Sequence, residues 1–124
     1  MTLLLTAMLA FQIKHFFADF VLQPYSMVLR KGDYLHPAGL AHAGIHVVGS
    51  IPALMIVTRA PELIAALLAG EFIVHYHTDW LKARLDRWLK LDTTSTLHWI
   101  LFGADQLIHQ MTYLAMLFAV VTFG

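Results

Sequence analysis

Four long apolar stretches dominate the pattern of hydrophobic and polar positions along the chain. They cover Thr2–Leu22, Gly39–Val57, Glu62–Trp80 and Leu97–Phe123. Each is close to the roughly 20 residues that a helix needs to cross the hydrocarbon layer of a membrane, and the last is long enough to tilt. The pattern predicts an all-α membrane protein, in which residues 1–124 form a single domain built as a four-transmembrane-helix bundle.

The segment that follows the third stretch has a different pattern. Within Trp80–Lys90 the basic residues spread around the helix, whereas the apolar side chains share one face, namely Leu81, Leu85, Trp88 and Leu89. This predicts a short amphipathic helix in the lipid interface between spans three and four, with its tryptophans at headgroup level. A plain extension of the third helix, solvated by its charges, fits the same residues.

Basic residues are distributed unevenly between the links, which are the segments that connect consecutive apolar stretches. Six of them lie in the first and third links, namely Arg30, Lys31, Lys82, Arg84, Arg87 and Lys90, whereas the second link carries only Arg59. Because basic residues accumulate on the cytoplasmic side of a membrane, we expect the first and third links in the cytoplasm. A multi-pass chain with this arrangement has both termini on the periplasmic side.

Composition argues against a soluble protein. Apolar residues make up 59% of the 124 residues and charged residues only 13%, with eight acidic residues balancing eight basic ones. Soluble domains carry about 25% charged residues, and a nucleic-acid-binding protein needs a clustered basic excess. The chain contains no cysteine, which excludes thiolate metal sites and cysteine nucleophiles. Its unusual feature is the eight histidines.

Ionisable residues within the spans come in pairs separated by four positions. The pairs, one in each span, are His15 with Asp19, His42 with His46, His75 with Asp79, and Asp105 with His109. Such residues are costly inside a membrane and mark a functional site by default. Residues four apart lie on one helical face, one turn apart. In the expected topology all four pairs fall in the cytoplasmic leaflet, so we predict that they converge on one polar cavity.

The residue types of these pairs suit a metal site. Imidazole and carboxylate groups bind zinc, manganese or iron. Asp19, Asp79 and Asp105 bring three negative charges, which two divalent ions and a bridging hydroxide would neutralise in a low-dielectric site. We therefore predict that all eight paired residues are ligands of two divalent ions, with zinc favoured over manganese and iron. The alternative is a proton-carrying or structural hydrogen-bond network.

Other polar residues are placed around the predicted site. Lys82 and Lys31 lie at its cytoplasmic mouth, where they hold an anionic group such as a lipid phosphate or extend to the interface as ordinary lysines do. Gln23 and Gln106 are expected to orient ligands.

Three further ionisable residues are kept apart from the ligand set. Glu71 lies deeper in the membrane than Asp79, at the depth of Lys14. It is interpreted as the partner of that lysine or as a residue that contacts the ligands without binding metal. His77 is rotated by 200° from His75 and is expected to face elsewhere. The role of His98 stays open.

Four ordered elements resemble a known family. The run His15–Gln23 resembles an H-x-x-x-D-F-x-L-Q element, and His42-x-x-x-His46, His75-x-x-x-Asp79-x-x-Lys82 and Asp105-Gln106-x-x-His109 follow it. Over nearly the whole chain these resemble the uncharacterised bacterial membrane family called domain of unknown function 3307. The resemblance implies a protein of the bacterial inner membrane without an established activity. The H-x-x-x-D elements are more distantly similar to membrane-bound metal-dependent hydrolases, which is an analogy only.

The predicted site is compatible with several functions. The leading hypothesis is a two-metal hydrolase that attacks a lipid-like or phosphorylated substrate from the cytoplasmic leaflet, with Lys82, Asp79 and Asp105 as its catalytic residues. A di-iron membrane oxidoreductase and a non-enzymatic carrier or sensor of divalent metal or protons are the alternatives. Haem bound by two histidines would leave the aspartates unexplained. Membrane lipids are the expected partners, nucleic acid is not, and a homo-oligomer is compatible.

Overall fold

Helices account for 83% of the chain and no strand is present. The computed structural model describes residues 1–124. The helices in chain order are α1 (Thr2–Phe16), α2 (Tyr25–Arg30), α3 (Pro37–Val57), α4 (Pro61–Trp88) and α5 (Thr96–Phe123), and a π-helical turn over Phe17–Val21 continues α1. The all-helical fold predicted from the sequence is confirmed.

Three segments are long and apolar enough to cross a membrane. They are Thr2–Val21, Pro37–Val57 and Thr96–Phe123, and they coincide with the first, second and fourth predicted spans. The third predicted span lies in α4, whose carboxylates and histidines lower its hydropathy. Membrane association is thus supported by three helices on length and composition.

Prolines begin two of the long helices. Pro37 is the first residue of α3, and the His36 side chain accepts a hydrogen bond of 3.1 Å from the Ala38 amide. Pro61 is the first residue of α4. Proline suits this position because the amide that it lacks would have no partner in the first turn. The three-residue connection before Pro61 makes α3 and α4 antiparallel neighbours.

The segment predicted as a separate interfacial helix continues α4 instead. Helix α4 runs without a break to Trp88 and ends where Lys90 adopts a φ of 53°, which lets the Leu91 amide reach the Asp86 carbonyl at 2.8 Å. The prediction of a distinct short helix is therefore wrong: no turn residue interrupts Pro61–Trp88, so the intrahelical hydrogen bonds continue. Its position in the lipid interface stays a prediction.

Hydrogen bonds connect the C-terminal end of α4 to the first link. Arg87 donates hydrogen bonds to the Asp33 carboxylate at 2.6 Å and to the Leu29 carbonyl at 3.2 Å. The Arg87 hydrogen bond, together with Arg30, holds the pKa of Asp33 below its ordinary value. Because α4 starts beside the end of α3 and finishes beside the first link, it runs the full length of the bundle.

Buried side chains divide the bundle into an apolar half and a polar half. The apolar core, near the chain termini, consists of Ala7, Phe11, Ala53, Leu54, Tyr113, Met116, Leu117 and Val120. A hydrogen bond of 2.5 Å between Gln12 and Gln110 lies where this core ends. Beyond it, toward the first and third links, most of the buried side chains are histidines and carboxylates, accompanied by Ala18, Ala43, Ser50 and Tyr76. Polar chemistry is thereby concentrated in one half of the molecule.

Candidate metal centre

Each long helix contributes one of the four pairs to a single polar cluster. The eight paired residues are connected to one another by nitrogen–oxygen contacts of 2.9–3.4 Å. Within the cluster, two groups have donor atoms close enough to hold a metal ion. Their role as ligands stays a prediction.

The first donor group combines α3 with its two neighbours. It consists of Asp19, His42, His46 and His75, whose donor atoms all lie within 4.8 Å of one another. Asp19 Oδ1 is 2.9 Å from His46 Nε2 and 3.1 Å from His42 Nε2. Asp19 belongs to the π-helical turn, a feature that occurs frequently at functional sites.

The second donor group lies between α4 and α5. It consists of His75, Asp79 and His109. One carboxylate oxygen of Asp79 is 3.1 Å from His109 Nε2, and the other is 3.4 Å from His75 Nε2 and 3.3 Å from His42 Nε2. Asp79 therefore connects the two groups, because its oxygens face histidines of both.

Several atoms in the cluster are buried without a hydrogen-bond partner. They are both ring nitrogens of His42, His75 Nε2 and Asp105 Oδ1, whereas Asp79 Oδ2 is 2.7 Å from the Lys31 ammonium. His42 Nε2 is 3.1 Å from a carboxylate oxygen, yet the angle is unsuitable for a hydrogen bond. Each unsatisfied buried polar atom costs about 1–3 kcal/mol. Ligands at about 2.1 Å from a tetrahedral ion are about 3.4 Å apart, so the observed spacing fits donors around a shared cation.

His15 lies at the edge of the cluster, outside both donor groups. Its Nε2 is 2.8 Å from Gln106 Oε1 and its Nδ1 is 2.9 Å from the Tyr113 hydroxyl. When Nε2–H donates to Gln106, Nδ1 accepts from Tyr113, so no lone pair remains for a metal. The structure thus places this histidine beside the donor groups with both ring nitrogens facing α5, and its role as a ligand stays a prediction.

Gln106 connects His15 to two of the carboxylates. Its amide nitrogen donates to Asp19 Oδ2 and to Asp105 Oδ2, both at 3.2 Å. Asp105 Oδ1 is 3.3 Å from His109 Nε2, although Asp105 belongs to neither donor group. These hydrogen bonds tie both carboxylates to one amide, and the role of Gln106 in orienting metal ligands stays a prediction.

A buried ion pair lies behind the first donor group. Lys14 donates to Glu71 at 2.5 Å, and Ser50 donates to the same carboxylate oxygen at 2.8 Å. The Lys14 ammonium is also 3.2 Å from His46 Nδ1. Glu71 therefore has the lysine-paired position expected for it.

The sequence-based reasoning missed two polar residues of this cluster. Neither Ser50 nor Tyr113 is charged at neutral pH, so neither belongs to the pattern of ionisable pairs. A signal was present, because Ser50 follows His46 by four positions and Tyr113 follows His109 by four. His77, by contrast, is exposed and contacts Tyr34 outside the cluster, as predicted.

A polar cavity of about 120 Å³ leads from the donor groups toward the first link. Three carboxylates and two lysines line it, namely Asp19, Asp79, Asp105, Lys31 and Lys82. Lys31 is 2.7 Å from Asp79 Oδ2, and Lys82 is 2.8 Å from Asp86 Oδ2. Gln23 also lines the cavity but donates to the main-chain carbonyl of Asp19, so it acts on that residue through the backbone.

A comparison with known protein families gives one match. The model of a family described as a protein of unknown function (DUF3307) matches residues 4–123, which include all four pairs. The search of curated proteins and the search of solved structures give no match. The family description assigns no chemistry, so the function has to be argued from the residues themselves.

Proposed function

Because the chain belongs to the DUF3307 family, whose description names no activity, we propose its function from the site: a membrane-embedded, metal-dependent hydrolase. The observation that carries this proposal is the pair of connected histidine–aspartate donor groups at the inner end of a lysine-lined cavity. Two divalent ions, zinc first among the candidates, suit this donor set. Such ions polarise a substrate oxygen and lower the pKa of bound water toward 7.

The charge of the cavity favours an anionic substrate only when metal is bound. Its three aspartates and two lysines leave a net charge of −1, and two divalent ions with a bridging hydroxide bring it to +2. A phosphate group is then attracted to the cavity instead of repelled. Lys82, with a partly exposed ammonium at the mouth, is placed to hold that group. Asp79 and Asp105 are the carboxylates that position the ions and the attacking water.

We propose further that α4 is a membrane span, which makes four spans in the bacterial inner membrane. Helix α4 has 28 residues, or about 42 Å, and its buried carboxylates face inward to Lys14 and Lys31. Its low hydropathy therefore reflects inward-facing polar groups. The distribution of basic residues supports placing the first and third links in the cytoplasm.

Cysteine labelling tests this topology. Single cysteines at the exposed positions Tyr25 and Asp92 are expected to be protected from an impermeant thiol reagent in intact cells, and one at Glu62 is expected to react. The chain has no native cysteine, so each signal reports one site. Labelling of all three after the membrane is permeabilised is the control. Reaction at Tyr25 in intact cells would reverse the proposed orientation.

Metal analysis combined with a hydrolysis assay tests the proposed activity. Protein purified in detergent without added metal is expected to contain up to two equivalents of zinc or manganese. It should hydrolyse phosphate esters without oxygen or an electron donor, and a chelator should abolish turnover. Iron with oxygen-dependent turnover would support the oxidoreductase instead. Protein without metal, and without activity after metal is added, would refute the proposal.

Replacing Lys82 with methionine tests the role of its ammonium. Methionine keeps most of the side-chain length but removes the charge, so we expect KM for a phosphate ester to rise about tenfold while kcat falls less. A rise in KM that exceeds the fall in kcat indicates that the variant binds the substrate itself less tightly. Lys90→Met, which removes an exposed lysine near the end of the same helix, is the matched control. A fall of kcat by the same factor with an unchanged KM would contradict the proposal that the Lys82 ammonium holds the phosphate.

A metal or proton carrier is the second candidate, and one contact favours it. The Lys14 ammonium next to His46 Nδ1 is a hydrogen-bond donor, so His46 accepts there and carries its proton on Nε2, facing Asp19. This arrangement is a hydrogen-bond network through His46, and it competes with metal binding at Nε2. Metal-dependent or proton-dependent transport into proteoliposomes, with no product formed, would support the carrier.

A further inference from the structure

An apolar groove on the outer surface of the bundle lies between α4 and α5. It has a volume of about 280 Å³, and its walls include Leu81 and Leu85 of α4 and Leu101 and Ile108 of α5. Ala104, a small side chain, also lines it. The distance along α5 from Leu101 to Ile108 is about 10 Å. We call this feature the α4–α5 groove.

The α4–α5 groove adjoins the polar cavity, with which it shares two lining residues. Lys82 and Asp105 line both of them, so one ammonium and one carboxylate separate a surface that faces lipid from the candidate metal centre. Asp105 Oδ1 is buried and lies 3.3 Å from His109 Nε2, without the geometry of a hydrogen bond. Five of its nine lining residues are apolar, and His77 and Thr78 add polar groups on α4. Its charged residues, Lys82 and Asp105, are the ones that it shares with the polar cavity.

A second apolar surface groove lacks this combination. The groove between α1 and α5 also has a volume of about 280 Å³, but only apolar residues line it, among them Leu4, Met8, Leu114 and Phe118. It lies against the apolar half of the bundle and reaches no charged group. Both grooves are suited to hydrocarbon chains, but only the α4–α5 groove leads to charged groups.

From this juxtaposition we propose that the substrate is a phosphate ester of a long-chain amphiphile that enters sideways from the bilayer. Its hydrocarbon chain lies in the α4–α5 groove, and its phosphate passes between Lys82 and Asp105 into the polar cavity. The inference rests on the proposed hydrolase function. In the reaction a water oxygen forms a bond to phosphorus, the bond from phosphorus to the alkyl oxygen breaks, and one water proton ends on the released alcohol while the other stays with the phosphate.

Chain length provides the kinetic test. For the metal-containing protein, kcat/KM is expected to be at least tenfold higher for hexadecyl phosphate than for butyl phosphate. Ala104→Phe, which fills the groove, should lower the value for hexadecyl phosphate at least tenfold more than the value for butyl phosphate, and the smaller Ala104→Val should act in the same direction. Ala115→Phe, at an exposed position of the same helix, is the matched control and should not change the ratio.

Photo-crosslinking provides a readout that does not depend on turnover. Hexadecyl phosphate with a diazirine in its chain is expected to label α4 and α5 beside Leu81 and Ile108, and excess unlabelled hexadecyl phosphate should remove this signal. Labelling beside Leu4 and Phe118 measures ordinary lipid contact and should not be displaced.

The outcomes separate the substrate class from the hydrolase activity. Hydrolysis of both esters with no effect of chain length or of Ala104→Phe would overturn the substrate class while the hydrolase stands. Displaceable labelling of the α4–α5 groove without any hydrolysis would overturn the hydrolase, while amphiphile binding at this groove is supported. Equal, non-displaceable labelling of both grooves would overturn the inference itself.

Discussion

Replacing Asp79 with asparagine is expected to lower the affinity for divalent metal by at least about 100-fold and to abolish hydrolysis. Asp79 is the residue whose two oxygens face histidines of both donor groups. Replacing a residue that only contacts a ligand lowers metal affinity by about 10–100-fold. Replacing a carboxylate that connects two donor groups should therefore have a larger effect. Asparagine preserves the shape but leaves Lys31, 2.7 Å from Asp79 Oδ2, without its carboxylate partner, so we expect a loss of folding stability of up to about 3–5 kcal/mol. Metal content is therefore compared on samples whose helical content, measured by circular dichroism, is unchanged.

The measurement is metal content by elemental analysis after equilibration with buffered zinc. Asp86→Asn is the matched control, because Asp86 is in the same helix and is ion-paired with Lys82, outside both donor groups. His46→Ala should affect the first group alone and His109→Ala the second alone. An Asp79→Asn protein with unchanged metal content would show that the cluster does not hold metal through this carboxylate.

Replacing Glu71 with glutamine is expected to destabilise the folded protein by about 3–5 kcal/mol, because it leaves a buried charge without its partner. The side chains of Lys14 and Glu71 are 9% and 1% exposed, so water does not replace the lost carboxylate. In the double variant Lys14→Met/Glu71→Gln no charge is left unpaired. Most of the lost stability should therefore return, since replacing both members of a buried pair is often nearly neutral.

Unfolding free energies in mixed detergent micelles provide the measurement. Asp33→Asn, which breaks a more exposed pair with Arg30 and Arg87, is the control and should cost no more than about 1 kcal/mol. If Glu71→Gln and the double variant were equally unstable, the ion pair would not be the source of the stability. Metal content measured on the same samples shows whether His46, which contacts Lys14, is affected.

The grouping of polar residues could be predicted to a large extent from the sequence. Spacings of four positions place His42 with His46, and His75 with Asp79, on shared helical faces. Helix bounds then place all the pairs in the same half of the bundle. The depth of Glu71, similar to that of Lys14, indicated their pairing. These inferences hold because helix geometry relates sequence separation directly to height and rotation.

The contacts made by individual atoms could not be predicted in this way. Periodicity gives the face on which a side chain lies, but not the neighbour that it meets across the bundle. His15 shares a spacing of four with Asp19, yet its ring is held by Gln106 and Tyr113 of α5. The π-helical turn at Asp19 also changes the rotation of the nearby side chains about the helix axis. No residue pattern in the sequence predicts this turn.

By itself, the sequence determined that this chain forms long apolar helices and that their ionisable residues share one half of the bundle. A backbone in a low-dielectric environment must satisfy its hydrogen bonds within each segment, so length and hydropathy suffice for the helices. Only the tertiary structure decided that Asp79 connects two donor groups and that the ring of His15 contacts Gln106 and Tyr113 of α5. These features depend on how helices distant in sequence are rotated and packed against one another, and the spacing within one helix carries no information about that.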